Sequence, residues 1–214
     1  MPSEAATAAV VGDAARRHDP SRHTAALRYR DDAALPFDAA AAPPLPLLLD
    51  TTVYLDRGRG RLPRPVLALI AGRQHLVYNC GVVCAELAIS IGLLDPADAR
   101  TAATVAALHA HLDRMEADKT VSPSAAAWAE AAVLAGILAR TQGFAVPKKS
   151  LTAEGECCQR GRRRELLLDA LLYLAAVEQN MLLLSGNVRH MDVLLQLRPS
   201  SNVLLYRTVS GARA

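Results

Sequence analysis

Four residues carry the chemistry that this sequence can support: Asp50, Glu86, Asp169 and Asn187. Asp50 closes the apolar run of "LLLDTTVYLD", Glu86 stands in "CGVVCAELAIS", Asp169 interrupts "ELLLDALLYLAAV", and Asn187 follows "MLLLS" by one glycine. An ionised carboxylate is costly to bury alone, so an acid in such a setting needs something to pair with. Taken singly, each has a plain explanation. Asp50 fits an N-cap for "TTVYLD", Glu86 an acid that reaches solvent or an arginine, Asp169 a bridge to Arg162, Arg164 or Arg198, and Asn187 a cap for the helix that follows. Taken together, three carboxylates and an amide oxygen are the ligand set of a hard divalent cation, and oxygen-only donors favour magnesium or manganese over zinc. Carboxylates gathered within a few ångströms raise one another's pKa, so such a centre binds metal weakly in acid and better at neutral pH.

The elements that must position these residues are legible as alternating strands and helices. "LPLLLD" from Leu45 and "HLVYNC" from His75 read as short buried strands, and the second feeds the helix "GVVCAELAISIGLL". Two alanine-rich helices follow. One runs from about Pro96 to Ala117, and the other is expected to open with Ser122 as N-cap and Pro123 at the first helical position, and to close at Gly143. A polar linker, "VPKKSLTAEGECCQRGRRR", leads to the helix "RELLLDALLYLAAVEQN", the strand "MLLLS", a short helix after Asn187 and a last strand, "NVLLYR". Strands apolar on both faces and separated by helices predict a three-layer α/β/α sandwich with a mostly parallel central sheet. Ligands of such sheets sit beyond the carboxyl ends of the strands, which is where Asp50 and Asn187 fall.

Length and composition narrow the classes further. A chain of 214 residues, 51% hydrophobic and 21% charged, suits one folded domain of ordinary size with an aliphatic core, since only 4% of residues are aromatic. Residues 1–44, rich in alanine, proline and arginine, hold no sustained period; they are expected to form a largely disordered tail with a short helix near "AATAAVVGDAARR", leaving 45–214 as the folded domain. The sequence has no long uncharged apolar run and no apolar secretory leader, and its first residues are too acidic for a transit peptide, so a cytoplasmic location is expected. Cys80, Cys84, Cys157 and Cys158 form no CxxC pair and no zinc-finger spacing, which favours reduced thiols. A net charge of +3 neither requires nor excludes a nucleic-acid partner.

The four motifs, "LLLDTTVYLD", "NCGVVCAELA", "RELLLDALLYLAAVEQ" and "MLLLSGNVRHMDVL" followed by a terminal strand, in that order over roughly residues 45 to 207, closely resemble PIN-domain proteins, particularly the VapC-like branch of toxin ribonucleases. The resemblance implies magnesium- or manganese-dependent hydrolysis of RNA phosphodiester bonds. It places the family's metal-binding acids on Asp50, Glu86 and Asp169, its fourth polar position on Asn187, and its small hydroxyl residues on Thr51 and Ser185. With a neutral amide at 187, a single tightly held ion is expected. The sequence departs from the pattern at Cys80, where the site's helix usually starts with serine or threonine, and at Met191, where a phenylalanine is common. The resemblance also implies an antitoxin protein as partner and a homodimer, for which the paired helices between 96 and 143 offer a surface.

Substrate RNA needs positive charge near the acids. Arg160, Arg162, Arg163 and Arg164, with Lys148 and Lys149 upstream, make the densest basic segment of the chain, and Arg189 with His190 lies just past Asn187. A haloacid-dehalogenase-type phosphatase would need an acid where Thr52 stands, and a dinucleotide-binding enzyme would need a glycine-rich turn that "DTTVY" lacks. The rival reading is a non-catalytic PIN-like protein that binds RNA or a partner without cutting.

Overall fold

The computed structural model describes residues 4–95, 97–142 and 160–209. Its strands are β1 (Leu47–Leu49), β2 (Val77–Cys80), β3 (Thr120–Val121), β4 (Leu182–Ser185) and β5 (Val203–Leu205). They form one sheet in the order β3-β2-β1-β4-β5, and every pairing is parallel. The fold class is therefore α/β with a parallel central sheet, as the alternation of elements predicts. Among the described residues there are eight α-helices: α1 (Glu4–Arg17), α2 (Thr51–Gly58), α3 (Arg64–Gly72), α4 (Gly81–Leu93), α5 (Ala102–Leu112), α6 (Ala125–Thr141), α7 (Arg160–Glu178) and α8 (Val188–Leu197). Among the described residues no helix is long and apolar enough to cross a membrane.

Several boundaries differ from the sequence expectation, each for a local reason. The helix expected from 96 to 117 is only α5, because Asp95 and Asp98 draw the amides of Ala97 and Arg100, both at 2.9 Å, into local turns that compete with helix. The N-cap of α6 is Ser124 and not Ser122: its hydroxyl accepts the Ala127 amide at 3.1 Å, and Pro123 precedes the cap. The two-residue β3 is too short to show a period in the sequence. Arg160–Arg164, expected in the linker, open α7, consistent with arginine's good helix propensity. The rest of that linker, including Lys148, Lys149, Cys157 and Cys158, and the expected stop at Gly143, lie outside the described residues.

The chain divides into two compact units: a helical unit of Met1–Ala34, Pro123–Glu178 and Arg189–Ser200, and a sheet unit of Leu35–Ser122, Gln179–Val188 and Ser201–Ala214. The first junction between them lies between Ala34 and Leu35. In the sheet unit, register builds the core. Leu49 aligns with Leu184, and Leu184 with Leu204, so one row of leucines crosses three strands and packs with Val53 of α2 and with Val66 and Ile70 of α3. The alternate residues Leu48, Leu183, Val203 and Leu205 point to the opposite face and are equally buried. Both faces of the central strands are thus out of water, as a three-layer sandwich requires.

In the helical unit the first stretch of chain is built in. Helix α1 forms where the short helix was expected, and beyond it His18 meets the carboxylate of Glu130 on α6 at 2.6 Å. Glu130 is only 6% exposed and also accepts from Arg17 at 2.6 Å and Arg198 at 3.2 Å. Burial opposes its ionisation, but the His18 hydrogen bond and the Arg17, His18 and Arg198 charges prevail, so its pKa lies below the ordinary 4.5.

A depressed acid contributes stability above its unfolded pKa and loses it as pH falls through the folded one. Glu130→Gln is therefore expected to be less stable than the parent at neutral pH, with the gap narrowing as pH drops below about 4.5; thermal unfolding of both proteins over that range checks it. Glu130→Ala, which strands buried His18, is expected to cost about 3 kcal/mol.

Candidate functional site

Asp50 is where the sheet hands the chain to α2. Its backbone N–H donates to the carbonyl of Leu184 at 3.1 Å, extending the β1–β4 ladder by one bond. Its own carbonyl accepts the Val53 amide at 2.9 Å, and its Oδ1 accepts the Thr52 amide at 3.2 Å, so it also caps the helix. The N-cap reading and the site reading are thus compatible in one residue. Its second oxygen, Oδ2, accepts the hydroxyl of Ser185, the last residue of β4.

Ser185 in turn accepts the amide of Asn187 at 3.0 Å, and the amide of Gly186 donates to the Thr52 hydroxyl at 3.0 Å. These bonds lock the turn after β4 onto the start of α2. The lock depends on a missing side chain: a Cβ on Gly186 would lie 2.8 Å from both Cζ and the hydroxyl oxygen of Tyr206. Tyr206 cannot easily yield, because its hydroxyl donates to buried Asp56 at 3.0 Å, and Arg61 holds the other Asp56 oxygen at 2.7 Å. Burial, with Asp56 and Asp50 nearby, pushes the Tyr206 phenol well above its usual range.

Glu86 joins from α4. The Thr51 hydroxyl donates to its Oε2, so the residue after Asp50 ties the second acid to the same helix end. Cys80, at the start of α4, makes no side-chain cap, and burial pushes its thiol up to about 11, leaving it protonated at neutral pH. The sheet unit therefore brings together Asp50, Thr51, Glu86, Ser185 and Asn187. All their side-chain donors are oxygens apart from the amide nitrogen of Asn187. This set fits a hard divalent cation of the magnesium class, with water supplying the remaining positions.

The site's place in the sheet follows from topology. The chain leaves β1 toward β2 on one side and leaves β4 toward β5 on the other. Between these two strands the connections diverge, and the carboxyl ends there form the crevice that parallel sheets use for ligands.

The other predicted residues belong to the helical unit. Asp169 is 8% exposed on α7, and its Oδ2 stands 2.5 Å from Nδ1 of His190. Of the arginines expected near it, Arg198 is taken by Glu130. Arg189 stacks over the ring of Tyr29 at 5.6 Å, and Arg164 is exposed on the first turns of α7. Among the described residues no group of three or more His, Cys, Asp or Glu side chains is gathered closely enough to hold a metal ion. The sequence reading missed Thr52, Asp56 and Tyr206; only the clustering of hydroxyl residues after Asp50 hinted at the first.

No family model matches the chain, and no curated protein does. Among solved structures the chain is similar to FitAB bound to an IR36 DNA fragment, at 15% identity and a TM-score of 0.42, covering 78% of this chain and 99% of that one. At that level the likeness decides nothing about activity, and the fold rests on the sheet described above.

The packing at Gly186 makes a sharp expectation. Gly186→Ala is expected to destabilise by about 2 kcal/mol through overpacking against Tyr206, read as a lowered thermal midpoint. Ser185→Ala, which leaves that space alone, is expected to cost about 1 kcal/mol.

Proposed function

We propose that the chain is a divalent-metal-dependent endoribonuclease of the PIN type, with Asp50, Glu86, Asp169 and Asn187 as its metal-side residues. The observation that carries the reading is the junction of Asp50, Ser185 and Thr51–Glu86 at the point in the parallel sheet where the connections diverge. A bound magnesium or manganese ion would polarise the scissile phosphate and lower the pKa of the attacking water. Asp50 and Glu86 would hold it, with Asp169 as the third acid and Asn187 as a weaker ligand. Ser185 and the Thr52 amide fix the rotamer of Asp50, and Thr51 does the same for Glu86, so the carboxylates need little reorganisation. No side-chain nucleophile is required. A toxin role with an antitoxin partner, and a homodimer, complete the proposal.

Asp50→Asn keeps a capping acceptor and is expected to fold with a thermal midpoint within a few degrees of the parent. It is expected to lose at least about a hundredfold in magnesium-dependent cleavage of a structured-RNA pool, and Asp169→Asn likewise. Cleavage that survives EDTA, or cleavage by either variant equal to the parent's, would sink the reading. RNA binding without any cutting would leave the non-catalytic alternative.

Replacing Arg160, Arg162, Arg163 and Arg164 by alanine is expected to weaken RNA binding and to flatten the dependence of log K on log salt by roughly 0.7 for each phosphate of a single strand that is no longer neutralised. An unchanged slope, measured by filter binding or anisotropy across salt concentrations, would remove these residues from the substrate path.

A further inference from the structure

The sheet unit contains a cavity of about 690 Å³ that the proposed metal site does not use. That volume suits one small organic ligand. Its floor is aliphatic, built from Leu49, Ile70 and Val77, and Leu67 on its rim is 42% exposed, an apolar surface that a ligand would cover. One wall is aromatic: Tyr54 and His111 meet edge to face with centroids 5.9 Å apart. Asn79, also lining the cavity, is 8% exposed; its Oδ1 accepts the Tyr54 hydroxyl at 2.6 Å, which fixes the amide and leaves Nδ2 as the donor it can offer.

The mouth carries cations. Arg57 and Arg114 are exposed lining residues in no ion pair among the described residues, whereas Lys119 is paired with Glu116 at 3.2 Å. The Nε of Arg114 donates to the Ala110 carbonyl at 2.6 Å, leaving its terminal nitrogens to donate elsewhere. Burial, and then the Arg114 and Arg57 charges, hold the His111 pKa below its ordinary 6.5. Both guanidinium groups therefore act on one neutral imidazole. The ligand that matches is flat and apolar at one end, accepts a hydrogen bond from an amide, and is a dianion at the other.

We propose that this cavity binds a nucleobase joined to a phosphate, the base lying against Tyr54 and His111 within reach of Asn79 and the phosphate on Arg57 and Arg114. Guanidinium suits phosphate because its donors match two oxygens at once. Aromatic side chains suit any base because every base has a π face. An aliphatic anion would make no use of the Tyr54–His111 aromatic wall. The ligand can be a free nucleotide or the phosphorylated end of an RNA strand.

The test is calorimetric titration of the full chain in EDTA, which removes any contribution of a bound cation and makes the outcome independent of the cleavage reading. The probes are AMP, GMP, CMP and UMP, with adenosine and inorganic phosphate as the two halves, and a short oligoribonucleotide with and without a 5′ phosphate. At least one nucleotide is expected to bind about tenfold or more tighter than either half, and to shift the His111 imidazole resonances. The Arg57→Ala/Arg114→Ala double variant, altered only at exposed positions, is expected to lose about tenfold or more, while Lys119→Ala keeps its affinity. A 5′-phosphorylated strand binding better than free nucleotides identifies the strand end as the source, and the reverse identifies the free nucleotide. The proposal is overturned if no nucleotide saturates, if phosphate alone competes as well, if the double variant binds like the parent, or if Lys119→Ala loses as much as the double variant.

Discussion

The sheet unit depends on Asp50 serving the sheet, the helix and the neighbouring turn at once. Its amide belongs to the β1–β4 ladder, its carbonyl and one carboxylate oxygen start α2, and its other oxygen takes the Ser185 hydroxyl. A carboxylate at a strand end is ordinarily free to choose a rotamer; this one is held by an amide and a hydroxyl from different elements. The same contacts set the turn that presents Asn187, so the site's shape follows from how two strands end. Substituting the residue for a smaller one would unsettle the ladder end, the helix start and the turn together.

The helical unit has its own buried acid with the opposite character. Glu130 is surrounded by Arg17, His18 and Arg198 and has its ionised form stabilised by them. Such a cluster leaves little capacity for a cation, since its lone pairs already face positive charge. Around Asp50 the carboxylates accept from hydroxyls and an amide: Ser185 and the Thr52 amide at Asp50, and Thr51 at Glu86.

Much of this was legible in the sequence where one element sufficed to define it. Continuous apolar runs announced β1, β4 and β5, and an acid ending such a run announced Asp50. The signal failed where meaning came from distant partners. Glu130 sits in "AAAWAEAAVLAGILAR" much as Glu86 sits in its own helix, yet one is clamped by residues more than a hundred positions earlier and the other is met by Thr51. His190 has the sequence context of a surface residue, and only the fold sets Asp169 beside it. Strand β3 and the helix α3 fell below what periodicity could resolve, and the helix boundary at Ser124 turned on which of two serines reached an amide.

The way the units are threaded bears on how the protein is made. β1 pairs with β4 across about 135 residues of chain, and the charges around Glu130 come from positions 17, 18 and 198. At a synthesis rate of roughly 5–20 residues per second, the first half of the sheet waits many seconds on the ribosome with one flank of β1 uncovered. Neither unit can close until residue 198 has emerged, because Arg198 completes the cluster around Glu130 and Val203–Leu205 completes the sheet. Long-range parallel pairing of this kind is also intrinsically slow. A nascent chain in that interval presents an unpaired, wholly apolar strand edge, which makes it a natural client for chaperones.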